Sequence, residues 1–406
     1  MKRSFKLLSL VMSVVLVLSL SLNCFAVADI TTADAIRFDK NGNLRVMHVT
    51  DTHLEDANVD ASVWLIGQSC DREQPDIVVI GGDNVENTGD KEYTKSLIDK
   101  LMGVFEERDI PVAVTFGNHD SENENGMTRE ELMAYYNTFS CSVSIDDGEL
   151  LSGCGTYNVP VLASDSDDVK FNIWVFDSGD YDEDGNYSCV QKDQVDWYKA
   201  KSDELARNNG GKRVNSVVFQ HIIVGEIYDA LAKTDKKGLF AFEHLYNDGE
   251  YYMFDESAEN FGTFNERTCP GYLNFGQFDA MVENGDVLAM FSGHDHTNAF
   301  GVKYKGIDIS NSLSTRFNGD AFSTQYGYRI IDVKESDTST YVTRVVHWYD
   351  MFDLSDIFEV SSSGDSFGAS VVAKVVFLGF LEETFAIRFY RAFAQVITGR
   401  QITYAD

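Results

Sequence analysis

Proline is scarce in this chain, with four in 406 residues. No Pro-rich linker therefore separates domains, and no internal repeat is visible. Basic residues are also few: 33 Lys and Arg stand against 65 Asp and Glu, for a formal charge of −32. Such a surface repels nucleic-acid phosphates and anionic lipid at long range, so no nucleic-acid partner is expected. Any anionic substrate must be drawn in by something local and positive. The six cysteines form no C-x-x-C pair and no zinc-finger spacing, so sulfur is not the expected metal ligand.

The termini differ from the rest. Lys2, Arg3 and Lys6 precede an apolar, Ser-rich run from Leu7 to Leu22, and Ala26-Val27-Ala28 offers small residues where a signal peptidase cuts. Residues 1–28 thus read as a secretory signal, and the expected location is outside the cell. Cys24 would serve a lipoprotein anchor, but Asn23 before it is the wrong kind of residue. Cleavage leaves five cysteines, an odd number, of which Cys141 and Cys154 flank the turn-rich Asp146-Asp147-Gly148 and could bridge. At the other end, residues 351–406 read as a tail whose apolar stretch from Ser370 to Ile397 is interrupted by Lys374, Glu382, Glu383, Arg388 and Arg391. Its longest uncharged run is too short to span a bilayer. It is expected to be an amphipathic helix packed on the domain or a second copy; lying on a membrane surface is the sharper alternative.

Between the termini, short β-branched strands alternate with helical stretches. Leu44–Val49, Ile77–Ile80, Val112–Phe116, Phe171–Phe176, Val217–Phe219 and Val287–Phe291 read as buried strands, with later ones at Ile307–Ile309, Tyr328–Val333 and Tyr341–Val346. Val63–Cys70, Tyr93–Arg108, Arg129–Phe139, Lys192–Arg207 and Gly276–Asn284 read as helices. This order predicts a layered α/β domain over residues 29–350.

Polar residues cluster where the strands stop. Asp51 and His53 follow the first strand, Asp83 the second, and Asn118, His119 and Asp120 the third. His221 follows Val217-Val218-Phe219-Gln220, and His294 and His296 follow the strand ending at Phe291. Functional crevices of open α/β sheets lie outside the carboxyl ends of the strands. A lone D-x-H or strand-end histidine is commonplace. Of eight histidines, however, five occupy these positions. The others, His48, His244 and His347, read as structural. Tyr181, Arg267 and Arg316 sit in loops that could reach the same rim to meet phosphate or its organic group, although a loop arginine more often offsets nearby carboxylates.

The ordered series D-x-H, G-D-N, G-N-H-D, H and G-H-x-H resembles the calcineurin-like metallophosphoesterase superfamily. Phe176-Asp177-Ser178-Gly179-Asp180-Tyr181 and Gly293-His294-Asp295-His296-Thr297-Asn298 are similar to the non-purple branch of the purple acid phosphatase-like phosphohydrolases. The likeness runs from about Leu44 to Trp348 and omits the tail. It implies a four-layer α/β/β/α sandwich with two central mixed β-sheets. It further implies that Asp51, His53 and His296 hold one divalent metal ion, that Asn118, His221 and His294 hold a second, and that Asp83 bridges them. His119 would act on the leaving group or transition state without binding metal, while Asp120 and Asp295 would orient imidazoles. Where purple enzymes carry a Tyr three residues after the bridging Asp, this chain has Glu86, so the tyrosinate–iron colour should be missing. Oxygen and nitrogen ligands suit manganese, iron, zinc or cobalt without choosing among them. Two such ions about 3.5–4 Å apart make hydroxide available near neutral pH. The implied function is hydrolysis of small phosphate monoesters by a metal-bound hydroxide; alternatives are a phosphodiesterase acting on cyclic nucleotides or phospholipid head groups, and an inactive extracellular binding module.

Overall fold

The computed structural model describes residues 35–145, 151–235, 237–238, 241–255, 260–320 and 322–383. The expected leader, with Cys24, and the tail beyond 383 lie outside the described residues. The chain begins by alternating strand and helix: β1 (Asn43–Val49), α1 (Val59–Glu73), β2 (Ile77–Gly81), α2 (Lys91–Glu106), β3 (Val112–Thr115) and α3 (Arg129–Tyr136). Next come β4 (Tyr157–Leu162), β5 (Val169–Phe176), α4 (Lys192–Asn208), β6 (Ser216–Gln220) and the single turn α5 (Ile227–Ala230). Short strands β7 (Ala232–Thr234), β8 (Ala241–Glu243), β9 (Tyr251–Met253) and β10 (Phe261–Thr263) precede α6 (Gln277–Asn284). Then follow β11 (Val287–Ser292), β12 (Ala299–Tyr304), β13 (Ile307–Asn311), β14 (Gly327–Lys334) and β15 (Asp337–His347). Helices α7 (Leu354–Ser362) and α8 (Ser366–Glu383) close the described chain.

Two large sheets result, in the orders β15-β14-β1-β2-β3 and β10-β12-β13-β11-β6-β5-β4, with β7-β9-β8 as a small third. β1, β2 and β3 are parallel, as are β5, β6, β11 and β13, while antiparallel strands complete the edges. Both sheets are therefore mixed. Alternation along β2 shows how the layers form. Ile77 and Val79 face Ile173, Val217 and Phe291 of the other sheet, while Val78 and Ile80 face Leu65 and Leu97 of the helices. All four β2 side chains are fully buried, which is why the strand reads as a continuous apolar run. On the far face of the second sheet, Trp174, Val218 and Met290 pack with Val195 and Tyr198 of α4 and Phe278 of α6. Helices outside two apposed sheets give the expected four-layer sandwich.

Local chemistry sets where elements start. The Asp90 carboxylate caps α2 by accepting from the amides of Glu92 and Tyr93, and Thr128 and Glu131 form a reciprocal capping box on α3. β4 escaped the sequence reading because Pro160 sits inside it. The structure places β4 at the end of its sheet, the place where a strand can spare an amide. In the tail, Val371, Val375 and Leu378 of α8 are buried against the first sheet's helical layer, whereas Phe377 and Phe380 are exposed. Among the described residues no helix is long and apolar enough to cross a membrane. No disulfide joins Cys141 to Cys154. The Cys141 carbonyl accepts from Val112 at β3, whereas the Cys154 amide donates to Asp177 beyond β5, so different strands hold the two.

His48 lies wholly inside β1, its Nδ1 2.9 Å from Ser312 Oγ and its ring edge-on to Phe219. Burial, with Arg329 nearby, pushes its pKa down to about 3. The imidazole is therefore folded neutral and unfolds into a form that protonates near its usual 6.5. No penalty applies above that pH. As pH falls from 6.5 toward 3 the unfolded chain binds the extra proton, and stability drops by about 1.4 kcal/mol per pH unit from this group. Urea midpoints between pH 7 and 4.5 should fall accordingly, and less steeply in His48→Gln.

Candidate metal centre

Every candidate ligand leaves the carboxyl end of a parallel strand. β1 hands on to Asp51 and His53, β2 to Asp83, β3 to Asn118 and His119, β6 to His221, and β11 to His294 and His296. The ends of both sheets meet there. Among the described residues, seven non-glycine positions adopt positive φ, and four of them are Asp51 (52°), His53 (39°), Asp83 (52°) and His294 (70°). Asp and His tolerate this left-handed region better than branched residues do, but it carries a cost that the surrounding bonds must hold. Glycine supplies the clearance. A Cβ on Gly117 would collide with the Asp83 carboxylate, and one on Gly293 with Asp51 and Thr50.

The donor atoms converge in two groups that share one member. Asp51, His53, Asp83 and His296 form the first, and Asp83, His221 and His294 the second, with ligand atoms in each within 4.8 Å of one another. His53 Nε2 is 3.1 Å from His296 Nε2 and 3.6 Å from Asp83 Oδ2, and His296 Nε2 is 3.5 Å from Asp51 Oδ1. On the other side, His221 Nε2 lies 3.1 Å from Asp83 Oδ2. Its Nδ1 lies 2.9 Å from Gly81 O and donates to it, which fixes the tautomer and leaves Nε2 to face the carboxylates. Asn118 follows β3, one residue before His119, whose amide meets Asp83 Oδ1. Asn118 Nδ2 donates to the Tyr181 hydroxyl at 2.9 Å, which fixes the orientation of the amide and leaves Oδ1 without a hydrogen bond.

The chemistry of these atoms fits a cation. Asp83 Oδ2, Asn118 Oδ1, His221 Nε2 and His294 Nε2 are buried and receive no well-directed hydrogen bond, the close approach of His221 to Asp83 notwithstanding. Leaving such atoms unmatched is costly, and a metal ion is the partner that accepts all of them at once. Burial, reinforced by Asp83, pushes Asp51 up to about 7 against the pull of His221. Burial likewise opposes charge on Asp83, but His221, His53 and His119 outweigh it and hold that carboxyl well below its ordinary range. His221 rises to about 9 because Asp83 and Asp51 overcome its own burial. Burial lowers His53 and His294 to about 3 and holds His296 well below its ordinary range, so all three offer the neutral imidazole that metal binding requires.

The sequence model of the calcineurin-like phosphoesterases matches residues 44–298. The chain belongs to that family. Among its relatives is a protein named probable inactive purple acid phosphatase 14 from Arabidopsis thaliana, 26% identical over 76% of this chain and 80% of its own length. Probable inactive purple acid phosphatase 29 from the same plant is 24% identical over 68% and 72%. A dimetal phosphatase from Danio rerio superposes with a TM-score of 0.45 at 12% identity, covering 74% of this chain and 98% of its own. In this member of the family the Asp/His cluster is a candidate site for divalent metal.

Other residues fall into place around the cluster. His119 donates its backbone amide to Asp83 Oδ1 at 2.8 Å, and its ring stands 5.3 Å from that of His53. Two expectations are corrected. Asp120 does not orient an imidazole: its oxygens accept from the amides of Asp83 (2.8 Å), Asn84 (2.9 Å) and Gly117 (2.7 Å), stitching two ligand loops together. Asp295 turns to the Cys269 amide and the Asn298 side chain instead. Arg316 acts electrostatically on His53 and His296, whereas Arg267 acts on the aromatic side near Tyr246. His244 stacks on Tyr228 and His347 pairs with Asp350, both away from the cluster.

Three participants were missed. Glu122 places Oε2 2.7 Å from His119 Nδ1 and accepts from the Tyr181 hydroxyl at 3.2 Å. Its position three residues after the histidine was the available signal. The largely covered Arg129 ion-pairs with Asp177 and donates to Gly117 O at 2.7 Å, bracing the loop that carries Asn118 and His119. Tyr187 stands with its ring edge-on to His294 at 4.3 Å, and no spacing rule marks it. Removing the Asp120 brace tests the loop architecture. Asp120→Ala leaves three buried amides unpaired and should destabilise by on the order of 3 kcal/mol or more, read from urea unfolding.

Proposed function

We propose that this chain is an active, exported phosphoesterase that hydrolyses phosphate monoesters with two divalent ions, which are manganese, iron, zinc or cobalt. The observation that carries the reading is the buried Asp83 carboxylate, common to both groups of converging, unmatched donor atoms. Asp51, His53 and His296 would hold one ion, Asn118, His221 and His294 the other, and Asp83 both. Ions held this way clamp phosphoryl oxygens and lower the pKa of a bound water. The relatives' names carry the word inactive, but here all seven donor residues are present in the sequence, and six of them, Asp51, His53, Asp83, His221, His294 and His296, fall into two converging groups that share Asp83.

The chain's own residues supply the proton. His119 is partly exposed, and Glu122 holds its Nδ1. Burial disfavours charge on the imidazole, but Asp83 and Glu122 outweigh it and raise its pKa. With Nδ1–H engaged by the carboxylate, Nε2–H is left to donate to the departing ester oxygen. The remaining elements of the proposal are a leader at residues 1–28 that directs export, a catalytic domain at 29–350 and a C-terminal tail at 351–406. The partner is a small phosphate ester, with no nucleic acid and no membrane contact required.

Metal-loaded protein should turn over 4-nitrophenyl phosphate, lose that activity to a chelator, and regain it with manganese or zinc. Hydrolysis of neither this ester nor its bis-ester would refute the proposal, and two bound metals with no turnover of any ester would favour a binding module. A bis-ester rate far above the monoester rate would reassign the enzyme as a diesterase. His119→Ala should keep its metal content while kcat falls about 100- to 10,000-fold. Iron-loaded protein should lack purple colour, because Glu86 stands where a phenolate would be needed.

A further inference from the structure

One side of the centre is walled by aromatic rings that the proton and metal chemistry does not use. Residues 180–188 form a tight hairpin. Asp182 N donates to Asn186 O at 2.7 Å, Ser188 N donates to Asp180 O at 3.0 Å, and the Asp182 carboxylate accepts from the amides of Asp184 and Asn186. Gly185, at φ +81°, makes the turn. The register sets Tyr181 directly opposite Tyr187, and their rings stack at 5.5 Å with 27° between planes. Tyr187 then meets His294 edge-on at 4.3 Å, and the Tyr181 hydroxyl holds the Asn118 amide at 2.9 Å. Each tyrosine thus touches one residue assigned above to the second ion.

The wall continues outward. Tyr272 N donates to Tyr187 O at 2.9 Å, and the Tyr272 ring stands edge-on to Tyr246 at 5.0 Å. Tyr181 is 38% exposed and Tyr272 53%, so these rings are not simply core packing. Arg316 exerts its charge on His53 and His296, which belong to the other group of donors, whereas the tyrosines touch His294 and Asn118. The surroundings of the two donor groups therefore differ: a cation acts on the first, and aromatic, hydroxylated rings adjoin the second. An aliphatic organic group gains little specific from rings presented this way, whereas a flat π system gains stacking or edge-to-face contact.

We propose that the esters accepted here carry a flat aromatic ring, bound against the Tyr181–Tyr187 wall next to the second ion. This inference rests on the phosphoesterase reading. The shared chemistry is a planar ring near the phosphate, whether of a phenol-type group or of a nucleobase.

Non-hydrolysable phosphonates separate binding from turnover. Benzylphosphonate and cyclohexylmethylphosphonate have the same size and charge and differ in aromaticity. Calorimetry on the metal-loaded protein should show benzylphosphonate binding about three- to tenfold more tightly, the range expected for one aromatic pair. Tyr187→Phe should keep that preference and Tyr187→Leu should abolish it, each with its metal content and melting temperature checked. A nucleoside 5′-phosphonate distinguishes the sources: tighter binding than benzylphosphonate assigns the wall to a base, weaker binding to a phenol-type ring. Equal affinities for the benzyl and cyclohexylmethyl compounds, or a preference that survives Tyr187→Leu, overturn the inference. If 4-nitrophenyl phosphate is still hydrolysed in that case, the phosphoesterase reading stands without it. If the protein binds neither phosphonate and hydrolyses nothing, both fall.

Discussion

The Asp83 carboxylate is the constraint around which the structure is organised. It is 1% exposed and surrounded by imidazoles, with Oδ1 fixed by the His119 amide and Oδ2 turned toward His221 and His53. Burying an ionised carboxylate is expensive unless charge and hydrogen bonds compensate. Compensation here must come from both sheets, because His53 and His119 follow strands of the first and His221 follows one of the second. The two parallel edges are thereby required to abut. The same requirement accounts for the left-handed residues at Asp51, His53, Asp83 and His294, and for the glycines against which these carboxylates pack. Asp120 and Arg129 act one layer further out, holding the loops rather than the reacting atoms.

Much of this was legible before the fold was known, for a physical reason. Parallel strands buried on both faces are continuous apolar runs, so β1, β2, β3, β6 and β11 stand out, and polar residues at their ends must be there for something other than packing. The convergence of Asp51, His53, Asp83, His221, His294 and His296 follows from strand direction alone once the strands are placed. What could not be read depends on contacts between distant segments. β4 was masked by Pro160, whose tolerance comes from an edge position visible only in the sheet order. Asp120 looks like a partner for its neighbour His119, but its carboxylate points back to the amides of the β2 loop. Glu122 was signalled only by its spacing three residues after His119, and Tyr187 owes its place to loop geometry that no periodicity encodes.

The overall charge and the local chemistry pull in opposite directions. At −32 the protein disfavours anions at long range, but salt screens that field beyond about 8 Å at physiological ionic strength. Capture of a phosphate ester is therefore decided at the rim. Without cations, the site presents Asp51, Asp83 and Glu122, and its imidazoles are largely committed: His221 Nε2 lies beside Asp83, and His119 Nδ1 pairs with Glu122. Two divalent ions in the donor groups, as proposed, would reverse the local sign, because neutral imidazoles add no charge and the two carboxylates cannot cancel two dications. Substrate affinity and catalysis should consequently rise and fall together with metal occupancy, rather than metal acting on rate alone. On the proposed reading the acidic surface would act as a filter, disfavouring small anions at long range while a metal-loaded centre favoured them locally.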